Sequence, residues 1–169
     1  MTQTELATES RTYDWAHPGK VDLAVIDGRD GLGQLQAMVT GELPPPPIMA
    51  TVGMTGFHAE RGSVTVEMPA QLFHYNPLGV VHGGVISTLL DTAAACSVHS
   101  TLDVGEGYTS LDLTVKFLRA VTVDSGMLRC VGSVIQRGRR TALAEADLFD
   151  EQGRLVAHAT SSCMIFSDS

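Results

Sequence analysis

The chain has 169 residues, of which 44% are apolar, 18% charged and only 5% aromatic, enough for one domain whose core packs small and branched side chains. Nineteen acidic against eleven basic residues leave a net charge of −8, which argues against a nucleic acid as the main partner. The opening MTQTELATES lacks a secretory signal's basic and apolar regions, and no stretch is apolar enough to span a bilayer, so a cytoplasmic protein with no membrane partner is expected.

Residues 1–28 are polar and irregular, and are expected to form a loosely ordered lead-in. The spacing of Leu32, Leu35, Gln36, Met38 and Val39 predicts a short amphipathic helix, stopped by the run Pro44 to Pro47. That run reads as a stiff connector into a first strand over Ile48 to His58, with a proline-rich peptide ligand as the alternative. Residues 1–47 thus form a lead-in and 48–169 the domain proper. Glu60-Arg61-Gly62 reads as a turn into an alternating strand, Ser63 to Met68, which completes a hairpin.

Residues 72–84 are rich in His, Asn, Pro and Gly, and Val85 to Leu102 follows as a helix apolar on nearly every side. Alternation of Leu111, Leu113, Val115 and Phe117 predicts a strand, and turns at Asp124-Ser125-Gly126, Arg137 to Arg140 and Asp150 to Gly153 separate three more. The expected fold is α+β: two strands, one long helix, then a four-stranded antiparallel meander, with no internal repeat. One helix clad on most sides needs a curved sheet around it. The Ala-rich strand 141–149 lets that sheet come close, and a second protomer is the simplest cover for the remaining flank.

The stretch Asn76-Pro77-Leu78-Gly79-Val80-Val81-His82-Gly83-Gly84 carries the chemistry, with Asp91 inside the helix it opens. Gly83 and Gly84 let a ligand approach the backbone, and the first helix amides can hold a phosphate or a developing oxyanion. Asp91 is the only charged residue from Val85 through Val98. A lone carboxylate in an apolar helix either bonds a nearby hydroxyl, Ser87 or Thr88, or has a chemical task. Gly83 and Asp91 are separated by roughly 12 Å of helix, too far for one small reacting group. Two antiparallel copies of the helix remove the difficulty, so a site shared across a dimer is expected. The scattered histidines (His17, His58, His74, His82, His99, His158) lack zinc-type spacing, and Cys96, Cys130 and Cys163 read as buried thiols. No metal and no cofactor are expected.

The run NPLGVVHGGVISTLLD, followed by YTSLDLTVKFLRAV, closely resembles the PaaI-like branch of hotdog-fold acyl-CoA thioesterases, over roughly residues 48–166. The resemblance implies a hotdog fold and hydrolysis of an acyl-CoA substrate, coenzyme A being part of that substrate and not a cofactor. It implies a homodimer or a dimer of dimers. By the same resemblance Asp91 is the catalytic carboxylate, as general base or nucleophile, and the Gly83 amide polarises the thioester carbonyl. Asn76 positions water or carbonyl, His82 braces the loop, and Ser110 or Thr109 orients Asp91 or the water. Of the late basic residues Lys116, Arg119, Arg137, Arg139 and Arg140, those on the turn, Arg137, Arg139 and Arg140, are candidates for the coenzyme phosphates, and Met49, Met54, Phe73 and Tyr75 for the pocket wall. A hotdog module that binds acyl-CoA without cleaving it, and a hydratase on the same fold, are the competing readings.

Overall fold

The structure is a computed structural model that describes residues 7–17, 26 and 28–167; the lead-in expected over 1–28 lies partly outside the described residues. Helix α1, Gly31–Thr40, matches the predicted amphipathic helix: the Asp30 carboxylate caps it by accepting from the Gly33 amide, and Gly41 closes it in the left-handed region at φ 80°.

The proline run does more than connect. Pro47 occupies the first turn of a second helix, α2, Pro47–Val52, which ends at Gly53 with φ 80°. A strand over Ile48 to His58 is therefore not formed. Proline's fixed φ and missing N–H suit a helix start, and this outweighs the β-type composition of the segment. Strand β1 is confined to Gly56–Glu60 and pairs antiparallel with β2, Ser63–Pro69.

The central helix α3, Gly83–His99, begins on the paired glycines and stops before Leu102. Its end is set by hydroxyls: Ser97, Ser100 and Thr101 donate to the carbonyls of Ala94, Ser97 and Val98 at 2.7 Å, a local alternative to further helix. Leu102 is buried all the same, in the turn beyond.

Five strands follow, not four. The predicted strand through Leu111 and Phe117 is split into β3, Glu106–Ser110, and β4, Thr114–Phe117, both antiparallel to β7. Asp112 fixes the break: its carboxylate accepts from the Ser162 amide at 3.0 Å and its carbonyl from the Ser161 hydroxyl at 2.8 Å. Only β5, Met127–Arg137, β6, Thr141–Phe149, and β7, Leu155–Ser167, form the expected meander. The seven-stranded sheet runs β1-β2-β5-β6-β7-β3, with β4 beside β3 on β7.

Helix α3 packs against β2, β5, β6 and β7 at once, so the sheet curves around it. Ala142, Ala144 and Ala146 face the helix and are buried, as are Leu89, Leu90, Ala93, Ala94 and Val98 from the helix itself; each buried leucine contributes about 1.5–3 kcal/mol. The closest approach is at Gly132 of β5, where an added Cβ would lie 2.1 Å from the Ala93 carbonyl oxygen. Gly132→Ala is accordingly expected to cost about 1–3 kcal/mol or more by forcing strand and helix apart, read as a lowered denaturation midpoint.

Candidate active site

The loop before α3 is held by its own backbone, by two side chains and by the carbonyls of His74 and Val121. The Asn76 amide donates to the Val80 carbonyl at 2.8 Å, and the Asn76 side-chain oxygen accepts from the amides of Leu78 (2.9 Å) and Val80 (3.4 Å). Val81 donates to the Val121 carbonyl and His82 to the His74 carbonyl, both at 2.8 Å. At the helix start, His82 is extended (φ −61°, ψ 136°) and its Nδ1 accepts from the Gly84 amide at 2.9 Å, so that nitrogen carries no proton. The amides of Val85 and Ile86 reach the His82 carbonyl. Among the described residues the Gly83 N–H has no acceptor, and it stands at the positive end of a 17-residue helix.

That amide opens onto a cavity of about 350 Å³ shared by Asn76, Val81, Ile86, Phe117 and Arg119. Phe117 lies against the Gly83 Cα, where an added Cβ would meet the ring at 3.0 Å.

Asp91 lies about two turns further along α3. The neighbouring hydroxyls do not serve it: Ser87 and Thr88 donate to the carbonyls of Gly83 and Gly84 at 2.8 and 2.9 Å. Burial lifts the Asp91 carboxyl above the usual carboxylate range, and among the described residues no hydrogen bond compensates. Within one chain it is half-buried rather than enclosed, because Gly84, Thr88 and Asp91 fall at i, i+4 and i+7 on the one face of α3 that the sheet leaves open.

This face borders a second cavity, about 380 Å³, lined by Ser87, Thr88, Asp91, Ser110, Asp112 and Leu113. Of the two hydroxyls at the end of β3, Ser110 shares the cavity with Asp91. Thr109, on the opposite face of the strand, only approaches the Ser110 carbonyl at 3.5 Å.

One chain therefore joins Asn76, His82 and Gly83 in one place and Asp91 with Ser110 in another. The turn arginines join neither. Arg137 is ion-paired with Glu106 and donates to the Gly138 carbonyl at 2.9 Å, while Arg139 and Arg140 line a separate cavity with Glu106, Met164 and Phe166. Of the expected wall residues, Met54 is in the core, Phe73 is exposed, and the Tyr75 hydroxyl accepts from the Val123 amide at 2.8 Å.

Sequence reasoning missed Phe117 and Asp112. Both read as ordinary members of one alternating strand, and only the split into β3 and β4 turns them toward the two cavities. Arg119 stood out only as one of several late basic residues. Burial raises the Cys163 thiol and pushes Cys96 up to about 12, well above neutral pH.

Residues 78–157 match the family model of the thioesterase superfamily. A phenylacetic acid degradation-related protein from Ralstonia eutropha superposes with a TM-score of 0.70 at 33% identity, covering 77% of this chain and 98% of that one. The Escherichia coli PaaI protein, from the phenylacetic acid degradation operon, shares the fold with a TM-score of 0.70 at 20% identity, over 82% of this chain and 96% of that one. A proofreading thioesterase from Klebsiella pneumoniae is 26% identical over 107 residues, 63% of this chain and 77% of that protein.

Proposed function

The chain belongs to the thioesterase superfamily and is a thioester hydrolase of hotdog fold, and from that premise we propose that it cleaves an acyl-CoA at a site made by two copies of the chain. The observation that supports a shared site is the separation of its halves: the free Gly83 amide and the Asp91 carboxylate belong to one helix and open onto different cavities. A second α3 running antiparallel on the open face brings each half to the other's partner half, in a homodimer or a dimer of dimers.

In this reading the thioester carbonyl oxygen accepts the Gly83 N–H, and the helix dipole stabilises the charge that grows there. Asp91 of the second copy either removes a proton from water as it attacks the carbonyl carbon or attacks that carbon itself. The C–S bond then breaks and coenzyme A leaves as thiolate, which needs no strong acid because a thiol ionises at about pH 8.5; on the second route water then cleaves the acyl–Asp91 anhydride, releasing the acid and restoring the carboxylate.

The Asn76 side-chain oxygen is committed to its loop, so its NH₂ is the group left to donate to carbonyl or water. His82 fixes the helix start through Gly84, and Ser110 orients Asp91. The test is thiol release from a panel of acyl-CoAs of varied chain length, ring content and polarity. Cleavage of at least one CoA thioester is expected. Turnover confined to other thioesters, with every CoA ester left intact, would contradict the substrate assignment.

A further inference from the structure

The Gly83 amide is held in place from outside the helix it starts, and the chain of contacts can be followed residue by residue to the N-terminal arm. His82, which precedes Gly83, donates its N–H to the His74 carbonyl at 2.8 Å. His74 is 3% exposed, and both of its ring nitrogens are used. The Gln71 amide donates to Nδ1 at 3.1 Å, so the proton sits on Nε2, which donates to the Val52 carbonyl at 2.7 Å. The 3-10 turn Leu72–His74 is thereby fastened to the end of α2.

The same end of α2 is fastened from the other side. Arg11 donates to the carbonyls of Ala50 and Thr51, and its guanidinium lies over the rings of Phe73 and Tyr13, 4.3 and 4.7 Å from their centroids. Phe73 in turn meets the His74 ring edge-on, at 4.2 Å between centroids. Arg11, Phe73, His74, His82 and Gly83 are thus consecutive members of one packed and hydrogen-bonded series.

We propose that Arg11 and His74 are positioning residues for the Gly83 amide, so that the N-terminal arm, which lies before the family-matched residues 78–157, is part of the catalytic apparatus. The proposal rests on the reading of Gly83 as the carbonyl-binding amide. Oxyanion donors act only within a narrow geometry, and a displacement of about 1 Å from a distant change can cost about a hundredfold in rate. A series that grips the residue just before the donor is where such a displacement would originate.

The experiment compares full-length Arg11→Ala, His74→Phe and His74→Gln with the parent. The readouts are kcat and KM on the best thioester, the melting temperature, and the ¹H–¹⁵N resonance of Gly83. Arg11→Ala and His74→Phe are expected to shift the Gly83 resonance and to lower kcat by about tenfold or more, with KM within about twofold. His74→Gln, whose side-chain amide can donate to Val52 as Nε2 does, is expected to recover most of kcat.

A Gly83 resonance that stays in place in both disruptive variants overturns the proposal, as does a lowered melting temperature with kcat intact. Arg11→Ala, on the exposed arm, remains decisive should His74→Phe fail to fold. A parent that cleaves no thioester would instead refute the proposed function, and the resonance would still decide whether the arm controls the amide.

Discussion

Asp91→Asn is expected to lower thioester hydrolysis by about 10²–10⁴-fold, the usual contribution of a positioned general base, and to leave the fold as stable as the parent or more so. The carboxylate is half-buried and no hydrogen bond among the described residues offsets that cost. Its folded-state affinity for a proton is therefore raised, so stability falls as pH rises from the unfolded-state carboxyl value through the folded one. At neutral pH the ionised group is a burden, which a neutral amide of the same shape removes.

The catalytic side carries the opposite sign, since only the ionised carboxylate can take a proton or attack. The acid limb of kcat/KM in the parent is expected above the pH at which an ordinary aspartate titrates. The measurements are kcat/KM against pH and melting curves of both proteins at neutral pH. A variant that loses stability but keeps its rate would mean Asp91 serves the fold and not the chemistry.

Gly83→Pro is expected to lower kcat by about 10²–10³-fold, the cost of losing one oxyanion donor, with little change in melting temperature. Proline is well suited to the first helical position, and the extended backbone of His82 (φ −61°, ψ 136°) is what a residue before proline adopts. The substitution thus deletes one N–H and, as alanine would, sets a Cβ against the Phe117 ring. Gly83→Ala is the control: it keeps the N–H and asks only that the Phe117 ring, on the far end of a side chain, yield slightly. If both variants lose activity equally, crowding beside Phe117 and not the missing donor is responsible. If neither does, the amide is not the carbonyl-binding group.

Local signals in the sequence were enough for α1, the β1–β2 turn, the β5–β6–β7 meander and a sheet wrapped on one apolar helix, because each rests on short-range periodicity and turn chemistry. The errors share a cause. Pro47 reads equally as a breaker or as a helix start, and the choice depends on Gly53 closing the turn five residues after Ile48. The break between β3 and β4 depends on Asp112 bonding the β7 backbone at Ser162, a contact fifty positions away that no alternation pattern reveals.

In the site, the grouping of Asn76, His82 and Gly83 was legible because they are neighbours in one loop. That Ser110 and not Thr109 faces Asp91 followed only from the register of β3 on β7. Arg137 looked available because its charge is plain in the sequence, whereas Glu106, the group that engages it, comes from another strand.

The division of the site between two copies is tested most directly by mixing the two inactive chains. Asp91→Asn and Gly83→Pro subunits are unfolded together, refolded and assayed. Random reassociation makes half of the dimers mixed, and in each of these one site receives an intact Asp91 and an intact Gly83, so activity should return to about a quarter of the parent's. Activity no higher than the average of the two variants alone, in a mixture shown by mass spectrometry to contain the mixed dimer, would contradict a site built from two chains.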